Sequence, residues 1–284
     1  MKQCRACGSS STRMLFKVEQ QRVCRCRCCT HVYLDVVHDA QSIRSMYSKY
    51  GNGGRSQYFS GIDREVETHL DGYLQRCQAA VRDHDSQLHL LDVGCGNGAL
   101  LGRAQALGFV TAGIEISPRL ALLVKDQFHC EVHQQLLTDL KLPESSFDVV
   151  TMYDVIEHAE NPRQDLEQAF RVLKSGGVIF ILTPNDQALL RRISRALFAA
   201  SSQSFSSPMR RLYYPDHLSY FTAESLSRLL GSTGFELISL ASVNQELSRL
   251  QLSATEKLIA RAAFWVSKPF SRLGGKLVVY ARKP

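Results

Sequence analysis

An α/β fold is predicted: a doubly wound, mainly parallel sheet with a small cysteine-rich module in front of it. Three observations point there. From residue 62 onward, short apolar runs alternate with stretches of helical spacing, the pattern of strands covered by helices on both faces. The run Leu88-His89-Leu90-Leu91-Asp92-Val93 passes straight into Gly94-Cys95-Gly96-Asn97-Gly98, a strand ending in a glycine-rich turn before the helix-like Ala99-Leu100-Leu101. Six of the nine cysteines fall within the first 29 residues.

At 284 residues the chain has room for one α/β domain of about 200 residues and a small appendage. No apolar run approaches the roughly 18 residues a membrane span needs, and the polar N-terminus shows no signal peptide. A cytoplasmic protein is expected. In a reducing compartment clustered cysteines argue for metal rather than disulfides. Cys4/Cys7 and Cys26/Cys29 form two C-x-x-C knuckles 18 residues apart, the spacing of a zinc ribbon, and offer four thiolates to one tetrahedral ion. Cys24 and Cys28 are further sulfurs, and His31 is a substitute ligand. Residues 1–40 are too few to bury a core, so structural zinc should supply their stability.

Residues 41–85 read as a glycine-containing linker and a helix. Ile62 to Val81 carries apolar side chains at Val66, Leu70, Tyr73, Leu74 and Cys77, a stripe suited to packing at the sheet edge. Tyr47, Tyr50 and Tyr58 are either a lid over the site or ordinary packing aromatics.

The glycine turn is the first candidate site. Glycine lets the backbone turn tightly and lets a ligand approach without a Cβ in the way. Gly113-Ile114-Glu115 ends the next strand, about 20 residues on, where an acid accepts from both ribose hydroxyls. A dinucleotide site wants G-x-G-x-x-G set against a pyrophosphate. Here the spacing is G-x-G-x-G with Asp92 before it, which fits a ligand without phosphates. This segment resembles motif I of the class I S-adenosylmethionine-dependent methyltransferases. The resemblance implies a Rossmann-like, seven-stranded methyltransferase sheet with an antiparallel last strand, over residues 86–284. It places the cofactor against Asp92, Gly94, Cys95, Gly96, Gly98, Glu115 and Ile116.

Ser117-Pro118 should cap a helix running to Phe128, and Cys130 to Gln135 is a third strand. In the family a polar residue before a Leu-Pro pair meets the adenine amine; Thr138 and Asp139 both sit near that register. Phe147 to Met152 is strand four, with Tyr153 at its cofactor-facing end. Asp154-Val155-Ile156-Glu157-His158, followed by Asn161-Pro162, resembles the subgroup of ubiquinone O-methyltransferases and sugar methyltransferases. His158 is there either a base or a structural, cofactor-side residue. A helix over Leu166–Leu173 should stop at Ser175-Gly176-Gly177, with Val178 to Leu182 as strand five.

Residues 186–211 form an insertion. Leu189, Ile193, Ala196, Leu197 and Ala200 share one helical face, and Arg191, Arg192 and Arg195 share the opposite one. The insertion follows strand five, where enzymes of this family often build the substrate cover; the bland alternative is a solvated amphipathic helix whose apolar face docks on the body. Tyr213-Tyr214-Pro215-Asp216-His217-Leu218-Ser219-Tyr220-Phe221 resembles a segment of zinc-containing deoxysugar C-methyltransferases in which tyrosine, acid and histidine surround the reacting sugar. That resemblance implies Tyr214, Asp216 and His217 as catalytic residues, His217 foremost as base. The bland alternative is that Asp216-His217 organises the start of the Thr222–Leu230 helix.

Glu236 to Val243 and Lys276 to Ala281 are strands six and seven, flanking a second insertion at 245–272. From Arg249 onward eight basic residues face one acidic one, and the chain carries a net charge of +7. Basic amphipathic helices over 186–200 and 253–270 suggest an anionic membrane surface, at the inner face, or a phosphorylated substrate. The function implied is methyl transfer from S-adenosylmethionine to an oxygen or carbon of a sugar, glycolipid or lipid-linked metabolite. The alternatives are an RNA base methyltransferase, since one such family also has an N-terminal zinc module, and a cofactor-binding scaffold without catalysis. Nucleic acid is the weaker fit because no groove of interleaved aromatics is evident.

Overall fold

The computed structural model describes residues 3–36, 64–82, 87–201, 206–213, 215–244, 261–262, 265–266 and 273–284. The chain opens with β1 (Thr12–Val18), β2 (Gln21–Cys26) and β3 (Val32–Leu34), followed by α1 (Arg64–Ala80). Next come β4 (His89–Val93), α2 (Ala99–Ala106), β5 (Val110–Ile114), α3 (Pro118–Phe128) and β6 (Glu131–His133). β7 (Phe147–Tyr153), α4 (Pro162–Val172) and β8 (Leu173–Pro184) complete the parallel part. The remainder is α5 (Leu189–Ala200), α6 (Ser207–Leu212), β9 (Ser219–Tyr220), α7 (Ala223–Ser232), β10 (Glu236–Val243) and β11 (Lys276–Arg282).

The large sheet has seven strands in the order β10-β11-β8-β7-β4-β5-β6. β4 to β8 pair in parallel, and β11 runs antiparallel to both of its neighbours. This is the predicted doubly wound sheet with its antiparallel last strand. Leu90, Leu91, Val149, Val150, Val178 and Ile179 are completely buried, because helices cover both faces of the parallel strands.

β1, β2 and β3 form a second sheet whose fourth strand is β9, in the order β1-β2-β3-β9. The cysteine-rich module is thereby stitched into the body. Val32 pairs with Tyr220 and Tyr33 with Ser219, and the Leu34 amide donates to the Leu218 carbonyl at 3.0 Å. Its core is shared as well. Cys4, Ala6, Cys24, Cys26 and Tyr33 belong to the same apolar cluster as Leu91, Ile156, Phe221 and Leu226. On its other side Val23, Val32 and Leu34 pack with Phe198, Met209 and Tyr220.

Several local expectations are corrected. α1 lies on a sheet face rather than at the edge: Leu70, Leu74 and Cys77 are buried, and Tyr73 stacks on Phe180 of β8 at 5.0 Å. Ser117 is the N-cap of α3 but makes no side-chain cap; its amide donates to Glu115 Oε1 at 2.7 Å. β8 begins at Leu173, before the glycines, because Gly176 at φ 77° lets the strand bend and Leu173 pair with Phe147. The third strand is confined to Glu131–His133. Asp216 and His217 do not organise α7; Thr222 does, through a capping box with Ser225.

The largest correction concerns α5. Arg191, Ser194 and Phe198 face inward, while Ile193 and Leu197 are 38% and 49% exposed and Arg192, Ala196 and Ala200 stand outside with them. Periodicity located the two faces, and the alternative that docks the apolar one on the body is overturned. The buried guanidiniums have partners: Arg195 Nη1 meets Asp186 Oδ2 at 2.9 Å, and Arg191 donates to the Leu212 carbonyl at 2.7 Å. Arg191 also lies over the rings of Tyr213 and Tyr220, at 5.2 and 5.0 Å. A paired, ring-stacked arginine can be buried without the cost of a bare charge. Tyr47, Tyr50, Tyr58 and most of the 253–270 stretch lie outside the described residues; within it, Trp265 is 79% and Val266 46% exposed. Among the described residues no helix is long and apolar enough to cross a membrane.

Candidate active site at the carboxyl ends of the strands

The glycine turn leaves β4 with Gly94 at φ 71°, a region L side chains avoid. A Cβ there would come within 2.6 Å of Val155 Cγ2, so the turn is packed against the Asp154–His158 loop as well as bent. The amides of Gly94 and Cys95 both donate to the Ile114 carbonyl, at 2.7 and 3.0 Å, which ties the turn to β5. Cys95 turns its buried side chain toward Gly113 and meets the site through its backbone.

Glu115 stands just past β5, 7% exposed. Its Oε2 accepts from the Gly96 amide at 2.9 Å and its Oε1 from the Ser117 amide at 2.7 Å. Both oxygens are held in place and each retains a lone pair for an incoming hydroxyl. Burial raises the Glu115 carboxyl, and those amide donors oppose the shift. Asp92, 2% exposed, accepts from Thr151 Oγ1 at 2.6 Å; burial lifts its carboxyl to about 7, Thr151 opposing and Glu115 adding to it. Ile116 and Tyr153 are half-buried, and Gly98 caps the start of α2 in the left-handed region at φ 79°. Thr138 is half-buried and Asp139 exposed on a short 3-10 turn, Leu137–Asp139, that packs near α4. Asp139 helps raise the carboxyl of Asp165 on α4, where burial is the main cause.

Beyond β7 lies the short turn Ile156–His158, with the segment before β9 laid on it. Glu157 is 0% exposed; Oε2 accepts from Thr183 Oγ1 at 2.8 Å, and Oε1 is buried without a hydrogen-bond partner. Burial raises its carboxyl, with Asp154 adding to the rise and Lys276 opposing it. Lys276 pairs with Asp154. His158 Nδ1 lies 2.8 Å from the Asp216 carbonyl, and the His217 ring meets the His158 ring edge-on at 4.7 Å. Burial lowers the His158 imidazole, which favours its neutral form. Asp216 thus reaches the site through its backbone; Tyr214 lies outside the described residues.

The Leu218 amide donates to the Glu157 carbonyl at 2.8 Å, while its own carbonyl receives Leu34 of β3. The residue after His217 is therefore clamped between the cysteine module and the Glu157 turn. In that module the sulfurs of Cys4, Cys7, Cys26 and Cys29 all lie within 4.8 Å of one another. Cys4 and Cys29 are 3.5 Å apart, as are Cys7 and Cys26. Cys24 is buried in β2, and Cys28 is exposed with its sulfur 3.2 Å from Ser9 Oγ. His31 is not in the quartet: it is fully buried, 3.2 Å from Ser219 Oγ, and burial pushes it down to about 3.

The sequence named Glu157 only as part of a motif and did not single out Thr151, Thr183 or Lys276, which hold Asp92, Glu157 and Asp154. An acid set next to Ile156 just beyond a strand end was the one available signal for Glu157.

With this geometry in place the comparisons are unambiguous about class. Residues 62–240 match the family described as a methyltransferase domain, and the chain belongs to that family. Its fold is that of S-adenosylmethionine-dependent methyltransferases: a solved one from Archaeoglobus fulgidus superposes with a TM-score of 0.55 over 81% of this chain and 98% of that one, at 18% identity. The mitochondrial ubiquinone biosynthesis O-methyltransferase of Candida albicans is 35% identical over 135 residues, 44% of this chain and 38% of that protein. The ubiquinone biosynthesis O-methyltransferase of Azoarcus sp. is 28% identical over 158 residues, 54% of this chain and 66% of that protein. The chain thus spans about half the length of the curated relatives it matches.

Proposed function

We propose that this protein transfers the methyl group of S-adenosylmethionine to an oxygen or carbon of a small-molecule acceptor, a sugar, glycolipid or lipid-linked metabolite. The observation that carries the reading is Glu115. Two backbone amides, one of them from the glycine turn, fix both oxygens of its buried carboxylate, and Val155 packs that turn against the loop carrying Glu157 and His158. Glu115 holds the ribose, Asp92 favours the cationic end of the cofactor, and Ile116, Tyr153 and Thr138 or Asp139 border the adenosine. The bound cofactor supplies an electrophilic methyl on a sulfonium. The chain aligns the acceptor with it, excludes water, and takes the acceptor's proton on the side of His217, with Asp216 fixing the tautomer of His158 through its carbonyl. Structural zinc on Cys4, Cys7, Cys26 and Cys29 fits the convergence of four sulfurs.

The test is calorimetry with S-adenosylhomocysteine, then transfer of a labelled methyl group to sugar, quinol-type and lipid-linked acceptors. Equal affinity in parent and Glu115→Ala protein would refute the cofactor placement. Turnover confined to RNA, or cofactor binding without turnover on any class, would replace the acceptor reading.

A membrane-surface placement has its own support. Ile193 and Leu197 stand exposed beside Arg192, and Trp265 and Val266 are exposed too, on a chain of net charge +7. Co-sedimentation with anionic vesicles at low salt, fading as salt rises, is the expected result. Absence of binding there ends that reading.

A further inference from the structure

We propose that Arg13, Arg25 and Arg27 of the cysteine module form a binding site for a phosphate group, carried by a small soluble ion or by a lipid headgroup. The register of the module assembles it. In the β1–β2 ladder Arg13 pairs directly with Arg25, and the ladder runs one step further, the Arg27 amide donating to the Ser11 carbonyl at 2.8 Å. Side chains alternate along a strand, so Arg25 shares a face with Val23, and Arg27, two residues on, continues that face. Cβ atoms directly opposite each other lie about 5 Å apart, close enough for two guanidiniums to grip one anion.

The charge around these arginines is uncompensated. Like charges set directly opposite in a sheet are destabilising, and the next such pair in the same ladder shows the usual remedy. Lys17 faces Arg22, but Arg22 Nη2 meets Asp35 Oδ2 at 2.8 Å. Residues 3–36 contain two acids, Asp35 and Glu19, and Glu19 is taken by Arg210 at 3.1 Å. Nothing acidic in the module is left for Arg13, Arg25 or Arg27, and among the described residues none of the three side chains enters an ion pair or a hydrogen bond. Arg25 Nε is moreover buried, and a folded protein rarely leaves a buried donor unpaired. Arg25 is thus set half-buried in the sheet, with Arg13 and Arg27 exposed beside it.

A guanidinium is a planar fork of N–H donors that matches phosphate oxygens two at a time and stays charged at any physiological pH. Three of them without a carboxylate among them suit a dianionic phosphate monoester or a diphosphate better than a singly charged acid. The site stands at the outer end of a row across the four-stranded sheet. Arg25 pairs with Val32, and Val32 with Tyr220, whose ring lies 6.3 Å from that of His217. A phosphate at Arg25 would sit two strand spacings, roughly 10 Å, from β9. The site stands on the module's own charges and does not depend on methyl transfer.

Calorimetry of the zinc-loaded full chain with inorganic pyrophosphate at low salt tests it, zinc content being measured on each sample. The expected result is saturable binding, weakened about tenfold or more by Arg13→Gln and by Arg25→Gln, and about twofold at most by Arg210→Gln, whose cation already has Glu19. Arg25→Lys keeps the charge and loses the fork, and should weaken binding as well. Should Arg25→Gln lose zinc, Arg13→Gln and Arg27→Gln decide in its place. Flotation with phosphatidylcholine vesicles containing phosphatidic acid identifies the source of the phosphate. Vesicle binding lost in the same variants assigns the site to a headgroup; pyrophosphate binding without vesicle binding assigns it to a soluble phosphorylated ligand. Absence of pyrophosphate binding, or equal affinity in parent and variants, overturns the proposal. An equal loss in Arg210→Gln also overturns it, because it reports diffuse charge rather than a site. So does a response to a polynucleotide with none to pyrophosphate.

Discussion

The two sides of the proposed site, a cofactor-side wall at the glycine turn and an acceptor-side wall at Glu157–His158–His217, are built on different principles. The cofactor-side wall is local: Gly94, Gly96 and Glu115 sit on two neighbouring parallel strands, and backbone amides only two and 19 positions away from Glu115 hold its carboxylate. The acceptor-side wall is assembled from four distant pieces. Glu157 and His158 follow β7, Thr183 ends β8, His217 precedes β9, and β9 itself is completed by the cysteine module at the other end of the sequence. One wall should therefore survive perturbations that dismantle the other.

The sharpest break is at the sulfurs. Cys4→Ser/Cys7→Ser removes two of four thiolates, and β3 loses the anchor that holds β9. Methyl transfer should fall roughly 100-fold or more, the scale expected when reacting groups shift by about 1 Å. S-Adenosylhomocysteine affinity, measured by calorimetry, should stay within about threefold, as expected of a distant, uncoupled site. A parallel loss of both would show that the walls are not independent.

The reciprocal change comes next in size. Glu115→Ala should weaken S-adenosylhomocysteine binding by about 1.5–3 kcal/mol, the loss of hydrogen bonds to a charged acceptor, and leave zinc content unaltered. Zinc analysis beside calorimetry makes the comparison direct.

A pH titration probes the cofactor wall alone. Asp92 rises from 3.8 to about 7 on burial, so the folded chain keeps its proton where the unfolded chain has lost it. That contribution to stability is present at low pH and is lost as pH climbs from about 4 to about 7. A cationic ligand reverses the preference, because it favours the ionised carboxylate. Affinity for S-adenosylmethionine should therefore increase up to about tenfold between pH 6 and 8, equivalent to about 1.4 kcal/mol, with a plateau above. Asp92→Asn, which can still accept from Thr151, should flatten both profiles. An unchanged slope in that variant would place the titration elsewhere.

The smallest effect tests the seam between module and body. Ser219→Ala deletes the contact with His31 and should cost about 1 kcal/mol in thermal unfolding. Its expected kinetic trace is a modest fall in kcat with cofactor affinity intact. A fall in affinity instead would mean that the seam also supports the glycine turn.

What was legible in the sequence follows this same division. The strand–glycine turn, the acid after β5, the helix behind Pro118 and the two cysteine knuckles could all be read, because each depends on residues a few positions apart. Backbone geometry and ligand spacing act over that range, and so leave a mark in the order of residues. The seven-stranded sheet with its antiparallel last strand followed from the resemblance to the methyltransferase family, and the structure supplied the strand order. The tertiary structure alone decided the rest. Pairing of β3 with β9 joins residues 188 positions apart at His31 and Ser219, a contact no local pattern encodes. Whether Ile193 and Leu197 turn outward or inward was left open because periodicity gives two faces of a helix and not the identity of what lies beneath. Here Asp186, the Leu212 carbonyl and two tyrosine rings satisfy the arginines, and partnered charge displaced aliphatic side chains from the interior. Glu157 belongs to the same class: its burial, its unpartnered Oε1 and its nearness to His217 exist only once three loops close over it, and burial is a property of the closed chain.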